Sequence, residues 1–246
     1  MFKQLLLGSV MTLATVTGAN AGLIIDDFTD LLENDATGDG IVFDSTANSA
    51  TVFDRSVAIS GTILGGDREL ILNKTSGTGL VQASVSGTGT FNHSNPANGL
   101  GSSLLRWDGS GSGDTDGLDY GLGGIDLSAS GSNFRISILT SGSSFPLVTT
   151  PTYITISLHT SATEFSALKV VLPTLGALEF YQSLTGIAAA GNVNLAEVNA
   201  IEVFVEGAEG YTAVMDIADV VPEPASLTLL GAGVMGLGAI KRRRKV

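Results

Sequence analysis

Residues 153–159 read Tyr153-Ile154-Thr155-Ile156-Ser157-Leu158-His159. Apolar and polar residues alternate in this stretch, and the same alternation recurs along the chain. Ile154, Ile156 and Leu158 fall on one side of an extended backbone, and the polar residues fall on the other. The stretch Phe134-Arg135-Ile136-Ser137-Ile138 repeats this alternation. A period of two residues predicts half-buried β-strands that each turn one face toward a core.

Similar runs continue on both sides, separated by Gly, Ser, Asn and Asp. About eleven strands are predicted, over 23–28, 50–60, 68–73, 80–86, 103–107, 118–122, 134–140, 153–159, 165–172, 200–205 and 213–220. One short helix is predicted at 195–199. Short strands joined by polar turns favour an all-β fold, a single antiparallel β-sandwich of jelly-roll type that covers residues 22–220.

Composition narrows the classes of function. The chain of 246 residues contains no cysteine, so disulfides, thiolate metal sites and cysteine nucleophiles are excluded. Six of the 12 basic residues lie outside 22–240, so six oppose all 24 acidic residues and the net charge there is about −18. Such an acidic body repels phosphate backbones, which argues against nucleic-acid binding.

The N-terminal segment has the order of a secretory signal peptide. Lys3 precedes an apolar stretch from Leu5 to Val16, and Ala19-Asn20-Ala21 supplies the small residues that signal peptidase requires. We therefore predict a signal peptide at 1–21, cleaved between Ala21 and Gly22. A retained membrane anchor is the alternative, although the apolar stretch is short for a membrane span.

The C-terminal segment, 221–246, combines three features. Pro222-Glu223-Pro224 holds the backbone extended, because each proline fixes φ and disfavours helix and strand. Residues 225–240 are largely apolar and would span about 24 Å as a transmembrane helix. A basic run then ends the chain and is expected to stop translocation: Lys241, Arg242, Arg243, Arg244 and Lys245.

This order resembles the PEP-CTERM sorting signal of Gram-negative bacteria, over residues 222–246. The resemblance implies export, transient anchoring in the inner membrane, and processing near Pro222, Glu223 and Pro224 by an exosortase. The protein would then reach the cell surface or the extracellular matrix. A permanent C-terminal membrane anchor is the alternative.

The body carries looser patterns. They include Leu23–Phe28, Leu64–Leu70, Leu118–Tyr120, Ile125–Ser128, Val198–Ile201 and Met215–Val220. In this order they resemble the galactose-binding-domain-like jelly rolls of exported bacterial proteins, across most of 23–220. The resemblance implies the fold and says little about a ligand, because a sandwich does not fix a function.

Two groups of acidic residues could hold a structural calcium ion, since Ca²⁺ prefers carboxylate and carbonyl oxygens. The first lies in a Gly/Ser-rich loop downstream of Asp108 and consists of Asp114, Asp116 and Asp119. The second requires the first and last strands to be neighbours and draws on Asp26, Asp27, Asp216 and Asp219. The alternative is that these are solvated turn residues, and no cofactor is otherwise expected.

A carbohydrate site is the remaining possibility. Trp107, the single tryptophan, lies beside Asp108, and Tyr120 follows across the loop. Exposed rings stack on the C–H faces of sugars while polar neighbours bind the hydroxyl groups. Trp107 could equally be a core aromatic of the sandwich.

Catalysis has little support in the sequence. The two histidines, His93 and His159, belong to no recognisable motif, and no Gly-x-Ser-x-Gly elbow or phosphate-binding loop is present. We therefore expect a non-catalytic surface or matrix protein associated with exopolysaccharide. A carbohydrate-binding module that attaches the cell to polysaccharide is the alternative.

Overall fold

The computed structural model describes residues 22–32, 41–42, 51–58, 61–86, 88–109, 117–143, 152–172 and 178–222. Its strands form two antiparallel sheets. The seven-stranded sheet contains β1 (Leu23–Asp26), β2 (Ile41–Val42), β5 (Gln82–Ser86), β6 (Thr90–Ser94), β8 (Asn133–Ser143), β11 (Leu178–Ser183) and β13 (Tyr211–Val221). The six-stranded sheet contains β3 (Thr51–Val57), β4 (Asp67–Gly77), β7 (Gly99–Trp107), β9 (Thr152–His159), β10 (Phe165–Leu172) and β12 (Ala200–Glu206).

The two sheets stack with their strands in matching positions. The orders are β11-β8-β13-β6-β5-β2 and β10-β9-β12-β7-β4-β3, with β1 paired to β13 beside β6. A hydrogen bond between His93 on β6 and Ser103 on β7 joins the sheets. The short helix α2 (Leu184–Ala188) packs on both β10 and β11. The strand β13 therefore lies over β12.

Alternation along the strands fills the space between the sheets. Ile154, Ile156 and Leu158 are buried in a common core with Phe134 and Ile136, as their spacing predicts. Burying such side chains contributes about 1.5–3 kcal/mol each. The all-β sandwich expected from the sequence is confirmed.

The chain termini of the described body share one end of the sandwich, which we call the terminal end. There β1 begins, β13 ends and β12 begins, and the opposite end holds the turn between Glu206 and Tyr211. The register pairs Leu23 with Val220, so the expected proximity of the first and last strands is confirmed. No helix in the described part of the chain is long and apolar enough to cross a membrane. The predicted signal and C-terminal helices lie outside those residues.

Two local predictions are wrong. Residues 118–122 form a loop rather than a strand, because Gly121 N–H donates to Asp108 O and Leu122 N–H donates to Asn199 O instead of forming a ladder. Residues 195–199 form a turn, and the short helices are α2 and α1 (Leu127–Ser130). Asp126 caps α1 by accepting from Ala129 N–H. The sequence analysis also missed β2, β6 and β11.

Candidate functional site

A row of charged side chains crosses the solvent side of the six-stranded sheet near the terminal end. The register places Glu69 of β4 beside Arg106 of β7, and Arg106 beside Glu202 of β12. All three side chains point away from the core because Leu70, Leu105 and Val203, their neighbours in sequence, point into it. His159 at the end of β9 completes this set, which we call the charged row.

Hydrogen bonds fix the charged row. Arg106 Nε donates to Glu202 Oε1 at 3.1 Å, and Arg106 Nη1 donates to Glu69 Oε2 at 3.0 Å. The same Nη1 donates to Gly117 O at 2.7 Å, which holds the loop that leads to Tyr120. His159 Nε2 lies 3.1 Å from Glu202 Oε2. One guanidinium therefore binds two carboxylates and a loop carbonyl, so these acceptors and donors are held in place before any ligand arrives.

Two exposed aromatic rings flank His159. Phe165, the first residue of β10, stacks on the imidazole with ring centroids 5.4 Å apart. The Tyr120 ring is tilted relative to the same imidazole, with ring centroids 6.3 Å apart. Phe165 and Tyr120 are 45% and 38% exposed, whereas His159 is buried. The rings thus border the charged row and remain open to solvent.

The electrostatics of the row are asymmetric. Burial, together with the nearby Asp108 carboxylate, raises the pKa of Glu69 to about 7 against the opposing effect of Arg106. Burial also acts to raise the pKa of Glu202, but His159 and Arg106 outweigh it, and the pKa of Glu202 is lowered. Glu202 is therefore the ionised acceptor at neutral pH, while Glu69 exchanges a proton close to neutrality.

This arrangement suits a neutral ligand that is rich in hydroxyl groups. Fixed carboxylate and imidazole groups can bind hydroxyls, and the exposed faces of Tyr120 and Phe165 can stack on C–H surfaces. The charge of Arg106 is satisfied by its two carboxylates. The site can therefore bind through hydrogen bonds and stacking rather than through net charge.

The structure corrects one part of the predicted carbohydrate site. Trp107 is 0% exposed and its Nε1–H donates to Asp26 Oδ2 at 2.8 Å, so the ring belongs to the core and cannot stack on a sugar. Asp108 is also buried, and its Oδ2 accepts from Asp119 N–H at 2.8 Å. Burial raises the pKa of Asp108. Asp108 thus positions the loop, and Tyr120 alone of the three faces solvent.

Three of the seven predicted calcium ligands, Asp26, Asp27 and Asp219, have other partners. Asp26 binds Arg68, and Asp219 binds Arg135 through both carboxylate oxygens. Asp27 accepts from Thr29 and from Thr62 N–H. Asp216 lies on β13, and Asp114 and Asp116 lie outside the described residues. No group of three or more candidate ligands is suitably arranged among the residues that are described. A calcium site stays a prediction.

Sequence reasoning missed most of the charged row. Glu69, Arg106 and Glu202 were not singled out, and His159 was considered for catalysis alone. A usable signal did exist, because each of these residues stands next to an apolar residue of its strand that faces the core, so its own side chain points to the outer face. Their meeting depends on register between β4, β7, β12 and β9, which the sequence does not give.

The chain matches one protein-family model and several solved structures. Residues 220–245 match the PEP-CTERM protein-sorting motif. The chain therefore carries this motif. Glu223 and Pro224, which the sequence predicts as processing residues, and the basic residues 241–245 lie outside the described part of the structure. A search of curated proteins gave no match.

Solved structures with a similar arrangement are distant in sequence. The family 11 carbohydrate-binding module of the cellulase Lic26A-Cel5E of Clostridium thermocellum has 10% identity and a TM-score of 0.37, covering 84% of this chain and 99% of the module. TmCBM61, solved with β-1,4-galactotriose, has 13% identity and a TM-score of 0.27, over 77% and 95%. PfGH50B has 12% identity and a TM-score of 0.39, and the match spans 62% of this chain but 22% of that protein.

Proposed function

We propose that this chain is a non-catalytic protein of the cell surface or extracellular matrix of a Gram-negative bacterium. Signal peptidase would remove 1–21 during export, and an exosortase would process the segment 221–246 after transient anchoring in the inner membrane. The observation that carries this proposal is the match of residues 220–245 to the PEP-CTERM motif. The apolar stretch 225–240 and the basic run after it fit the same role.

Fractionation of the producing bacterium with intact-mass measurement tests this proposal. The exported form should lack 1–21 and the basic run 241–245. Replacing Pro222, Glu223 and Pro224 together by alanine should leave a larger species in the membrane fraction. Glu209→Ala, at an exposed site in the body, is the matched control and should be processed normally. An exported form that keeps the basic run would contradict the proposal.

We further propose that the body binds polysaccharide at the charged row. The observation that favours this activity is the pair of exposed rings, Phe165 and Tyr120, that lie beside His159 in a His159–Glu202–Arg106 network. Hydroxyl groups of a sugar would bond to the carboxylate and imidazole while a ring face stacks on Phe165 or Tyr120. The net negative charge of the body does not repel a neutral glycan, so it is compatible with this ligand.

Binding to a glycan array and to the purified exopolysaccharide of the producing bacterium tests this activity. Phe165→Ala and Tyr120→Ala should each weaken binding about tenfold, since a lost ring contact of about 1.4 kcal/mol corresponds to that factor. Tyr181→Ala is the matched control, because Tyr181 is 44% exposed on the other sheet and should not affect binding. Equal loss in all three variants would place the ligand elsewhere.

A further inference from the structure

The last strand ends where the sorting motif begins. Val221 closes β13, and Pro222 follows it directly. Ser132 N–H donates to Val221 O at 3.0 Å, so the strand is held to its final residue. A Cβ atom on Gly131 would lie 2.5 Å from Val221 C, which shows how closely this loop packs on the strand end. No flexible linker separates the folded body from Pro222.

The start of the body lies at the same place. Leu23 pairs with Val220, and a Cβ atom on Gly22 would lie 2.5 Å from Val220 O. The backbone that continues toward the predicted signal peptide therefore leaves the body beside the backbone that continues into the sorting motif. The chain therefore continues from the terminal end toward both predicted membrane segments.

The charged row lies at this end as well. His159 ends β9 and pairs with Ala200 at the start of β12, which lies under β13. Packed sheets are about 10 Å apart. The segment from Tyr120 to Ser132 connects the two places: Leu122 N–H donates to Asn199 O, and Ile125 N–H donates to Val198 O. The site and Pro222 thus lie at the same end of the sandwich.

Chain length then limits how far the body can stand from a membrane. Three residues, 222–224, separate Val221 from the apolar stretch that begins at Ala225. Fully extended, three residues reach about 10 Å. The headgroup region on each side of a bilayer is about 5–8 Å thick. A body tethered by three residues must therefore rest its terminal end against the headgroups.

We infer that the terminal end is the surface that the membrane-anchored precursor presents to the lipid bilayer. The bilayer then restricts access of long polysaccharide to the charged row until the sorting segment is processed. This inference rests on the proposed function, because it requires residues 225–240 to insert in the membrane. The partner is the lipid surface itself, and the short tether holds the acidic body there against the repulsion of anionic lipids.

Fluorescence quenching by nitroxide lipids tests the orientation. The chain contains no cysteine, so a single introduced thiol can carry a fluorophore without background labelling. Ala129→Cys places it on exposed α1 next to Val221, and Glu209→Cys places it at the opposite end. The 11 residues of β13 put these ends about 35 Å apart. In vesicles that hold chain 22–246, quenching should be at least threefold stronger at Ala129→Cys.

A flotation measurement on the same vesicles separates the two ways in which the idea can fail. If the chain does not float with the vesicles, the proposed anchoring is wrong. If it floats but both labels are quenched equally, the inferred orientation is wrong.

Binding of the purified exopolysaccharide gives a second readout. The anchored chain should bind several-fold more weakly than the processed chain, and about 20 flexible Gly/Ser residues inserted between Val221 and Pro222, reaching roughly 25 Å, should restore binding. If the processed chain does not bind, the proposed saccharide activity fails. Equal binding by the anchored and processed chains would overturn the shielding.

Discussion

Two buried arginines on neighbouring strands, Arg68 and Arg106, show how the two faces of one sheet differ. Arg68 on β4 points into the core with no exposed surface, and its Nη1 binds both oxygens of Asp26 at 2.8 and 2.7 Å. Arg106 on β7 points outward and divides its donors between Glu69 and Glu202. Both are paired with carboxylates, yet water can approach one of these groups and not the other.

The inward arginine connects three strands. Asp26 of β1 accepts from Arg68 of β4 and from Trp107 of β7, and the Arg68 Nη2 donates to Asp30 O. Burial raises the pKa of Asp26, and Arg68, Trp107 and Phe28 N–H act against that rise. The inward polar groups thus hold the first strand in place, whereas the outward groups around Arg106 form a charged surface that solvent can reach. Substitutions can test that division.

Removal of the inward guanidinium should have the largest effect on stability. Arg68→Ala leaves the Asp26 carboxylate buried without its cation, which should lower the free energy of unfolding by about 3–5 kcal/mol. Arg106→Ala should cost roughly 1–2 kcal/mol, because water can reach Glu202 and Glu69 can take a proton. Urea denaturation of both variants measures the difference. Equal losses of unfolding free energy in the two variants would contradict the distinction between the inner and outer faces of the six-stranded sheet.

A second inward group, His93, should make the free energy of unfolding depend on pH in the acidic range. Complete burial lowers the pKa of His93 from 6.5 to about 4. As the pH falls, His93 takes up a proton in the unfolded chain at a higher pH than in the native protein. The contribution of His93 to stability is therefore fully present above pH 6.5 and is lost as the pH drops toward 4. A shift of this size corresponds to roughly 3 kcal/mol. Denaturation at several pH values should show this slope in the wild type and a smaller slope in His93→Gln.

The outward carboxylate Glu69 should respond to pH with the opposite sign. Its pKa is raised from 4.5 to about 7, so the native protein retains a proton that the unfolded chain has lost. Stability from this group is present below pH 4.5 and falls as the pH rises through 7. Glu69→Gln should therefore gain roughly 1–2 kcal/mol relative to wild type between pH 5 and pH 8. A gain that is constant with pH would contradict this prediction.

The smallest change in stability is expected at the exposed rings. Tyr120→Ala and Phe165→Ala should alter the free energy of unfolding by less than about 0.5 kcal/mol, because both residues are exposed on the surface and lie outside the core. The same variants should weaken exopolysaccharide binding, so their unfolding curves serve as the control for that assay. Loss of stability along with loss of binding would make these rings structural.

The sequence predicted strands where alternation is strong and missed them where the outward residues resemble a loop. The stretch 153–159 was recognised because its inward positions are branched aliphatic residues. β6 reads Thr90-Phe91-Asn92-His93-Ser94, and only Phe91 is apolar, so it looked like a turn. The core tolerates the buried His93 side chain because a hydrogen bond of 2.7 Å joins its Nδ1 to the Ser103 hydroxyl on the facing sheet.

The candidate site could be predicted in part. Tyr120 was included because it follows Trp107 and Asp108 across the loop. Trp107 drew attention as the single tryptophan, but its partner Asp26 lies 81 positions away and no local pattern reveals the contact. The charged row likewise depends on register between four strands, which only the folded sheet specifies.

The position of β13 has a consequence for export. This strand is formed by the last residues of the body, yet it lies inside the seven-stranded sheet and contacts β1, β6 and β8. Until residues 211–221 emerge from the translocation channel, β8 and β11 stay separate from β5 and β6. We therefore expect the seven-stranded sheet to close only as a final step, after residues 211–221 have crossed.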